Sequence, residues 1–366
     1  MKVLHIITSL NYGGAEISLL RLIENSLDHN HLVICLSSGG PIKAKLVDLG
    51  CSVVTLNLTI FNLIRQICQV NEICKNENIS VITSWLYHAD FFTLFLKLSQ
   101  KKSKILWTVH NLSVGRTTTK TTTRILVKFN SFLSHFVPNE IVYCAESSRL
   151  QHQNVYNYDK TKGVTVFNGP LSNQPERGAN KNNFDVSFPK VGMSARWDPI
   201  KNHSLAIEAI AELIQNYDRY SDLIFILCGQ NIDYENTQLC NLISKFSLEK
   251  NIRLLGTVSN MGTFYQEIDV LLLTSVGEAL PNVIIEALYL YKPIISTDVG
   301  DIRQVIGKCG EISEPNSELI AEKLAYIFEN YEAYEDALSD DEFTSSLDRF
   351  KIENVVKNYQ SIWYDL

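Results

Sequence analysis

The chain alternates strand-length apolar runs with helix-length amphipathic segments, and it does so twice. Apolar runs at 3–7, 32–36, 52–56, 79–83, 104–109, 140–144 and 164–167 are separated by helical patterns near 14–28, 61–76, 87–99, 122–136 and 146–156. Such alternation requires parallel strands joined by crossover helices, with helices covering both faces of the sheet. A polar stretch, Ser172-Asn-Gln-Pro-Glu-Arg-Gly-Ala-Asn-Lys-Asn-Asn183, then breaks the pattern and reads as a linker. The alternation restarts with strands near 190–194, 223–228, 252–255, 269–274, 293–296 and 310–313, and helices near 203–217, 235–248, 281–290 and 316–331. The predicted fold is therefore α/β, with two doubly wound parallel-sheet domains at 1–172 and 184–349. A chain of 366 residues supplies each with its own core. A last helical pattern, Val355 to Trp363, closes the sequence.

Hydrophobic residues make up 45% and charged residues 20%, ordinary for a soluble protein, and no apolar run approaches the length of a membrane span. The first residues already form a strand pattern, with no signal-peptide succession, so a cytoplasmic protein is expected. The eight cysteines include no CxxC and no zinc spacing, and read as small core residues in a reducing compartment. Charge is divided unevenly. Residues 1–172 hold 17 basic against 10 acidic residues, whereas residues 173–366 hold 16 against 30. Lys97, Lys101, Lys102, Lys104, Arg116, Lys120, Arg124 and Lys128 fall in a span without an acid, interleaved with Phe91, Phe92, Phe95, Ile125 and Phe129. The segment 97–128 is either an attachment site for an anionic membrane surface or a solvated face whose apolar residues belong to the core. No nucleic-acid-binding motif accompanies it.

Several groups at strand ends could carry chemistry. In Glu278-Ala-Leu-Pro-Asn-Val-Ile-Ile-Glu286 two carboxylates stand eight residues apart, after the buried-strand run Val270–Leu273. Pro281 suits a first helical turn, which places Glu278 in the preceding loop and Glu286 about one and a half turns inside the helix. The strand end, the loop carboxylate and the helix N-terminus then form a polar, anion-friendly rim. Arg196 follows the strand 190–194 and Lys201 precedes the next helix. They are either surface cations or partners for a diphosphate. Gly13 and Gly14 join a strand to a helix, either as a tight turn or as a place where backbone approaches a ligand. His110 closes the strand 104–109, where it is either structural or a donor to a substrate oxygen, while His5 inside the first strand reads as structural. The sequence has no Ser-His-Asp signature, no GxSxG elbow, no metal cluster and no DxD pair to hold a divalent ion.

Taken together, these residues resemble the retaining GT-B glycosyltransferases of family 4, the group 1 glycosyltransferases of polysaccharide and O-antigen type. The resemblance runs through Gly13-Gly14-Ala-Glu16, Thr108-Val-His110-Asn111, Val166-Phe-Asn168-Gly169, Arg196…Lys201-Asn202, Ser275-Val-Gly-Glu278…Pro281…Glu286-Ala287 and Pro293-Ile-Ile-Ser-Thr297. It implies two Rossmann-like domains facing across a cleft, the first binding acceptor and the second a nucleotide diphosphate sugar. A tail helix at about 350–366 would return to the first domain. By resemblance, Glu286 binds the ribose, Glu278 the donor sugar, and Arg196 and Lys201 the diphosphate, with Asn282 and Val283 adding backbone N–H groups. Gly13 and Gly14 approach the diphosphate, and His110 faces the reacting sugar. A UDP-sugar donor, a lipid-linked or saccharide acceptor and no metal or other cofactor are expected, at the inner face of the cell membrane. Ala279 and Asp301 depart from a pattern that often carries glycine at both positions. A nucleotide-sugar epimerase on the same fold is the competing expectation, and a non-catalytic sugar-nucleotide-binding module is a third.

Overall fold

The structure, a computed structural model, describes residues 1–100, 102–112, 121–170 and 184–365. The predicted linker 172–183 lies wholly outside the described residues, as do Lys101, Arg116 and Lys120 of the basic segment. The chain divides into two compact units: Met1–Ser172 with Arg349–Leu366, and Asn173–Asp348.

The first unit holds seven parallel strands: β1 (Lys2–Ile7), β2 (Asn30–Cys35), β3 (Ser52–Thr55), β4 (Val81–Trp85), β5 (Lys104–Val109), β6 (Glu140–Tyr143) and β7 (Gly163–Thr165). Their order is β3-β2-β1-β4-β5-β6-β7. Val3, Leu4, Ile6 and Ile7 are fully buried, so β1 packs helices on both faces, as a central parallel strand must. The last helix, Ile352–Asp365, belongs to this unit. It buries Ile352, Val355, Val356, Tyr359 and Trp363 in the same core cluster as Val3, Ile7 and Leu19. Gly169 fits only because it lacks a side chain, since a Cβ there would lie 2.8 Å from Ile352 Cδ1.

The second unit repeats the plan with six parallel strands: β8 (Lys190–Ser194), β9 (Ile224–Cys228), β10 (Ile252–Leu254), β11 (Val270–Leu273), β12 (Ile294–Thr297) and β13 (Gly310–Ser313), in the order β10-β9-β8-β11-β12-β13. In both units the strand order reverses at one place, between β1 and β4 and between β8 and β11. Loops leaving the carboxyl ends of strands at such a reversal diverge to opposite faces and open a crevice for ligand.

Details differ from the sequence expectation. Helices Ile42–Asp48, Met261–Glu267 and Ile302–Ile306 were not expected. Each spans at most two turns, too few for a 3.6-residue periodicity to register. Pro281 caps the helix Asn282–Tyr289 with extended backbone (φ −69°, ψ 134°) rather than occupying its first turn. Cys68 is exposed and Cys240 half-buried, so two of the eight thiols are not core residues. Among the described residues no helix is long and apolar enough to cross a membrane.

Candidate active site

The reversal between β8 and β11 gathers the expected donor-site residues of the second unit. After β8 the chain runs through Ala195 and Arg196 into a single 3-10 turn, Pro199–Lys201, capped by Asp198, whose carboxylate accepts the Ile200 N–H at 2.9 Å. Asn202 then takes a left-handed conformation (φ 52°, ψ 52°) and opens the helix His203–Asn216. The loop after β11 is stitched onto this turn. Thr274 Oγ1 donates to the carbonyls of Lys201 (3.0 Å) and Asn202 (2.9 Å), and the Val276 N–H donates to the Ile200 carbonyl at 2.8 Å.

That stitching sets Lys201 Nζ against Glu278 Oε1, and Ser275 Oγ donates to the same oxygen at 3.1 Å. Both side chains are only 17% exposed, so the pair is largely withdrawn from water. A mostly buried ion pair holds each partner in a defined place while leaving the cation able to exchange its carboxylate for a stronger anion. Arg196 stands differently. Its side chain is half exposed and pairs with Asp198 at 3.1 Å, a contact of small net worth that a ligand breaks at little cost. Burial opposes the charge on Asp198, yet the Ile200 N–H and the Arg196 guanidinium hold its carboxyl below the usual value.

Glu286 is the fifth residue of the helix Asn282–Tyr289 and is buried. Its Oε2 accepts the hydroxyl of fully buried Tyr265 at 2.9 Å, which fixes the carboxylate. Asn282 and Val283 form the first turn, where N–H groups have no intrahelical acceptor. A pocket of about 430 Å³ lies at the carboxyl ends of β11, β12 and β13, lined by Ser275, Val276, Thr297, Asp298, Glu314 and Pro315 among others, and shares Ser275 with the Glu278 carboxylate. Two glycines hold the loops in place. A Cβ at Gly229 (φ +144°) would enter the Ala195 backbone beside Arg196, and one at Gly300 (φ +57°) would enter the carbonyls of Glu278 and Ala279.

The first unit carries its candidates at the other reversal. The loop after β1 ends at Gly13, which caps the helix Gly14–Glu24. A Cβ at Gly13 would strike the carboxylate of Glu16, which is buried and accepts Ser9 Oγ at 2.9 Å; a Cβ at Gly14 would meet open space. A second glycine pair braces this loop: Leu10 N–H donates to the Gly39 carbonyl at 3.3 Å, and Gly40 packs directly on the Leu10 backbone. His110 follows β5 and stacks on Trp85 of β4, ring centres 5.2 Å apart and planes 21° apart. Burial pushes its pKa down to about 4. Asn168 lies near enough to oppose that shift, but neither ring nitrogen reaches hydrogen-bond geometry with any described residue.

Sequence reasoning thus placed Lys201, Glu278, Glu286 and Arg196 at one sheet edge. It passed over Thr274, Tyr265, Asp198 and Gly229, which reach the site through tertiary contacts that no local motif announces. Ser275 and Gly300 lie inside stretches singled out for other residues.

Comparison with known proteins fits this geometry. Residues 176–339 match the family model described as glycosyl transferases group 1. The chain is similar over 98% of its length, at 25% identity, to the O-antigen biosynthesis glycosyltransferase WbnH of Escherichia coli, 97% of which is covered. The match to the group 1 glycosyltransferases thus covers most of the second unit, Asn173–Asp348. A stretch of 145 residues is 32% identical to the uncharacterized glycosyltransferase MJ1059 of Methanocaldococcus jannaschii, spanning 40% of this chain and 32% of that protein. Among solved structures, Anabaena Alr3699/HepE superposes with a TM-score of 0.82 at 17% identity, covering 100% of both chains. The chain therefore has the GT-B fold of two Rossmann-like domains expected from its motifs.

Proposed function

We propose that this glycosyltransferase moves a hexose or N-acetylhexosamine from a UDP-sugar to a lipid-linked or oligosaccharide acceptor in surface polysaccharide biosynthesis, with retention and without a metal. The observation that carries the reading is the Lys201–Glu278 pair at the β8/β11 reversal, on the same sheet edge as Arg196 and the start of the helix Asn282–Tyr289. The nature of the relatives supports it: WbnH is named for O-antigen biosynthesis, and HepE was solved with UDP, with UDP and glucose and with UDP-glucose.

In this mechanism Lys201 releases Glu278 to the donor sugar and turns to the diphosphate, joined by Arg196 once it leaves Asp198. Glu286, held by Tyr265, binds the ribose hydroxyls. As the bond from the anomeric carbon to the diphosphate breaks, the carbon becomes oxocarbenium-like. Negative charge then grows on the departing oxygen, where two cations and the helix N-terminus stabilise it. The acceptor oxygen bonds to the same face of that carbon, and its proton passes to the departing phosphate oxygen. The pair of carboxylates about 5 Å apart on which a retaining glycosidase relies is not part of this scheme. In the first unit, His110, kept neutral by its burial, is the candidate donor to a sugar oxygen, and the Gly13-Gly14 turn is the candidate for backbone approach to a ligand.

For a lipid-linked acceptor, the basic segment is the proposed contact with an anionic membrane surface. Its helix Thr121–Ser134 leaves Ile125, Phe129 and Phe132 exposed at helical spacing, with Phe136 just beyond and Arg124 and Lys128 alongside.

The test is turnover of a panel of nucleotide sugars with saccharide acceptors, in EDTA, with the anomeric configuration of the product read by NMR. Lys201→Ala and Glu286→Ala should each lower kcat/KM by about a hundredfold or more. An inverted product, a requirement for added metal, or a new sugar epimer formed without acceptor would overturn the corresponding part of the reading.

A further inference from the structure

Among the described residues neither ring nitrogen of His110 reaches hydrogen-bond geometry, and the ring beneath it is what fixes its plane. Trp85 stacks with His110 and also with Tyr359 of the last helix, the latter at 6.1 Å and 20°. The indole is in turn fixed at its edge. Trp85 Nε1–H donates to His5 Nδ1 at 3.2 Å, His5 Nε2 meets His31 Nδ1 at 3.0 Å, and His31 Nε2 meets the Ser26 carbonyl at 2.9 Å. An indole can only donate. His5 must therefore accept at Nδ1 and, as a neutral ring, carry its proton on Nε2. His31 must accept that proton's bond at Nδ1 and donate from its own Nε2, to a carbonyl that can only accept. Ser26 Oγ donates to the Leu22 carbonyl, so towards His31 it too is an acceptor. Each tautomer follows from the one before, and the chain has a single polarity. The rings are sealed by Trp363, which sits 6.0 Å from His5 and 5.9 Å from His31. Directly after Trp85, Leu86 takes φ +72° and ψ 156°, a backbone conformation a branched side chain adopts only where its surroundings compel it.

We propose that Trp85 is the positioning residue for His110, and that His5 and His31 lock its indole through a one-way chain of hydrogen bonds. This rests on the reading of His110 as a group that meets the reacting sugar. A histidine within the first strand, which reads as structural filler in the sequence, thereby acquires a part in the reaction through two intermediaries. The last helix, far away in sequence, supplies a second ring stacked on Trp85.

The experiment uses the full chain and compares His5→Leu, His5→Gln and Trp85→Phe. His5→Leu leaves the indole N–H without an acceptor. It should lower kcat about tenfold or more while the KM for the sugar nucleotide stays within about twofold, as for a misplaced reacting group. His5→Gln keeps an acceptor for the indole and a donor for His31, and should recover most of that loss. Combining His5→Leu with Trp85→Phe should cost no more than Trp85→Phe alone. Unchanged kcat in folded His5→Leu, no rescue by glutamine, or additive losses would each overturn the proposal. Nitrogen-15 ring spectra of the wild type at neutral pH give a reading independent of turnover: His5 and His31 should both be neutral with the proton on Nε2, and any other tautomer at either ring defeats the idea. If His110→Ala keeps full activity while those spectra hold, the role of His110 in the reaction fails and the lock itself stands.

Discussion

Glu286, a binding group on the proposed reading, shows how a single side chain comes to be aimed. Its position five residues into a helix is legible from the apolar pattern around it, but what fixes its carboxylate is Tyr265, twenty-one residues earlier, whose hydroxyl donates to Oε2 at 2.9 Å. A hydrogen bond to a carboxylate is worth about 1.5–3 kcal/mol when both groups are buried. Tyr265→Phe keeps the ring and removes that bond, so the carboxylate loses its orientation without leaving a large cavity. The expected outcome is a rise of about tenfold in the KM for the sugar nucleotide with kcat nearly unchanged. Steady-state kinetics read this directly, and a loss confined to kcat would mean that Glu286 acts on the reacting centre instead of the ribose. Residue types at strand ends announce themselves in a sequence; the partners that aim them do not, because Tyr265, Thr274 and Asp198 are ordinary until the sheet brings them together.

At the scale of elements, legibility followed length. Strands such as Lys104–Val109 and helices such as Tyr87–Ser99 coincide with their expected spans, because several turns or a whole buried run repeat the signal. The basic, aromatic segment is where pattern alone was ambiguous, and burial separates its two halves. Phe92 and Leu96, on the helix Tyr87–Ser99, are buried, whereas Ile125, Phe129 and Phe132, on the helix Thr121–Ser134, are more than half exposed. An apolar stripe flanked by cations fits the boundary between acyl chains and anionic headgroups. Replacing Phe129 and Phe132 by Asp should abolish co-sedimentation with phosphatidylglycerol-containing vesicles and leave activity on a water-soluble acceptor intact. Wild-type binding should also weaken as salt rises. Vesicle binding that survives the double substitution would place the contact elsewhere.

Over the whole molecule, the two units share an architecture and also a liability in acid. Burial pushes His110, His152 and His203 each down to about 4, and it lowers His5 and His31 as well. A histidine whose folded pKa lies below its unfolded value of about 6.5 binds fewer protons in the folded state, so its contribution is present above that pH and is lost as pH falls towards the folded pKa. For His152 and His203, which are buried in different units, the shift corresponds to roughly 3 kcal/mol each by pH 4. Asp90 runs the other way. Burial raises its carboxyl well above the usual value, with only Ser84 Oγ, at 2.6 Å, favouring the charged form. It therefore stabilises the fold in acid and costs stability as pH rises. The melting temperature should fall steeply between about pH 6.5 and 4, with both units affected. His203→Gln should flatten that fall, while Asp90→Asn should raise the melting temperature, and by more at pH 8 than at pH 5. Differential scanning calorimetry across that range checks all three signs. A melting temperature independent of pH from 7 to 4 would mean that these histidines are solvated in the folded protein, and with them the ring chain that holds Trp85 beneath His110.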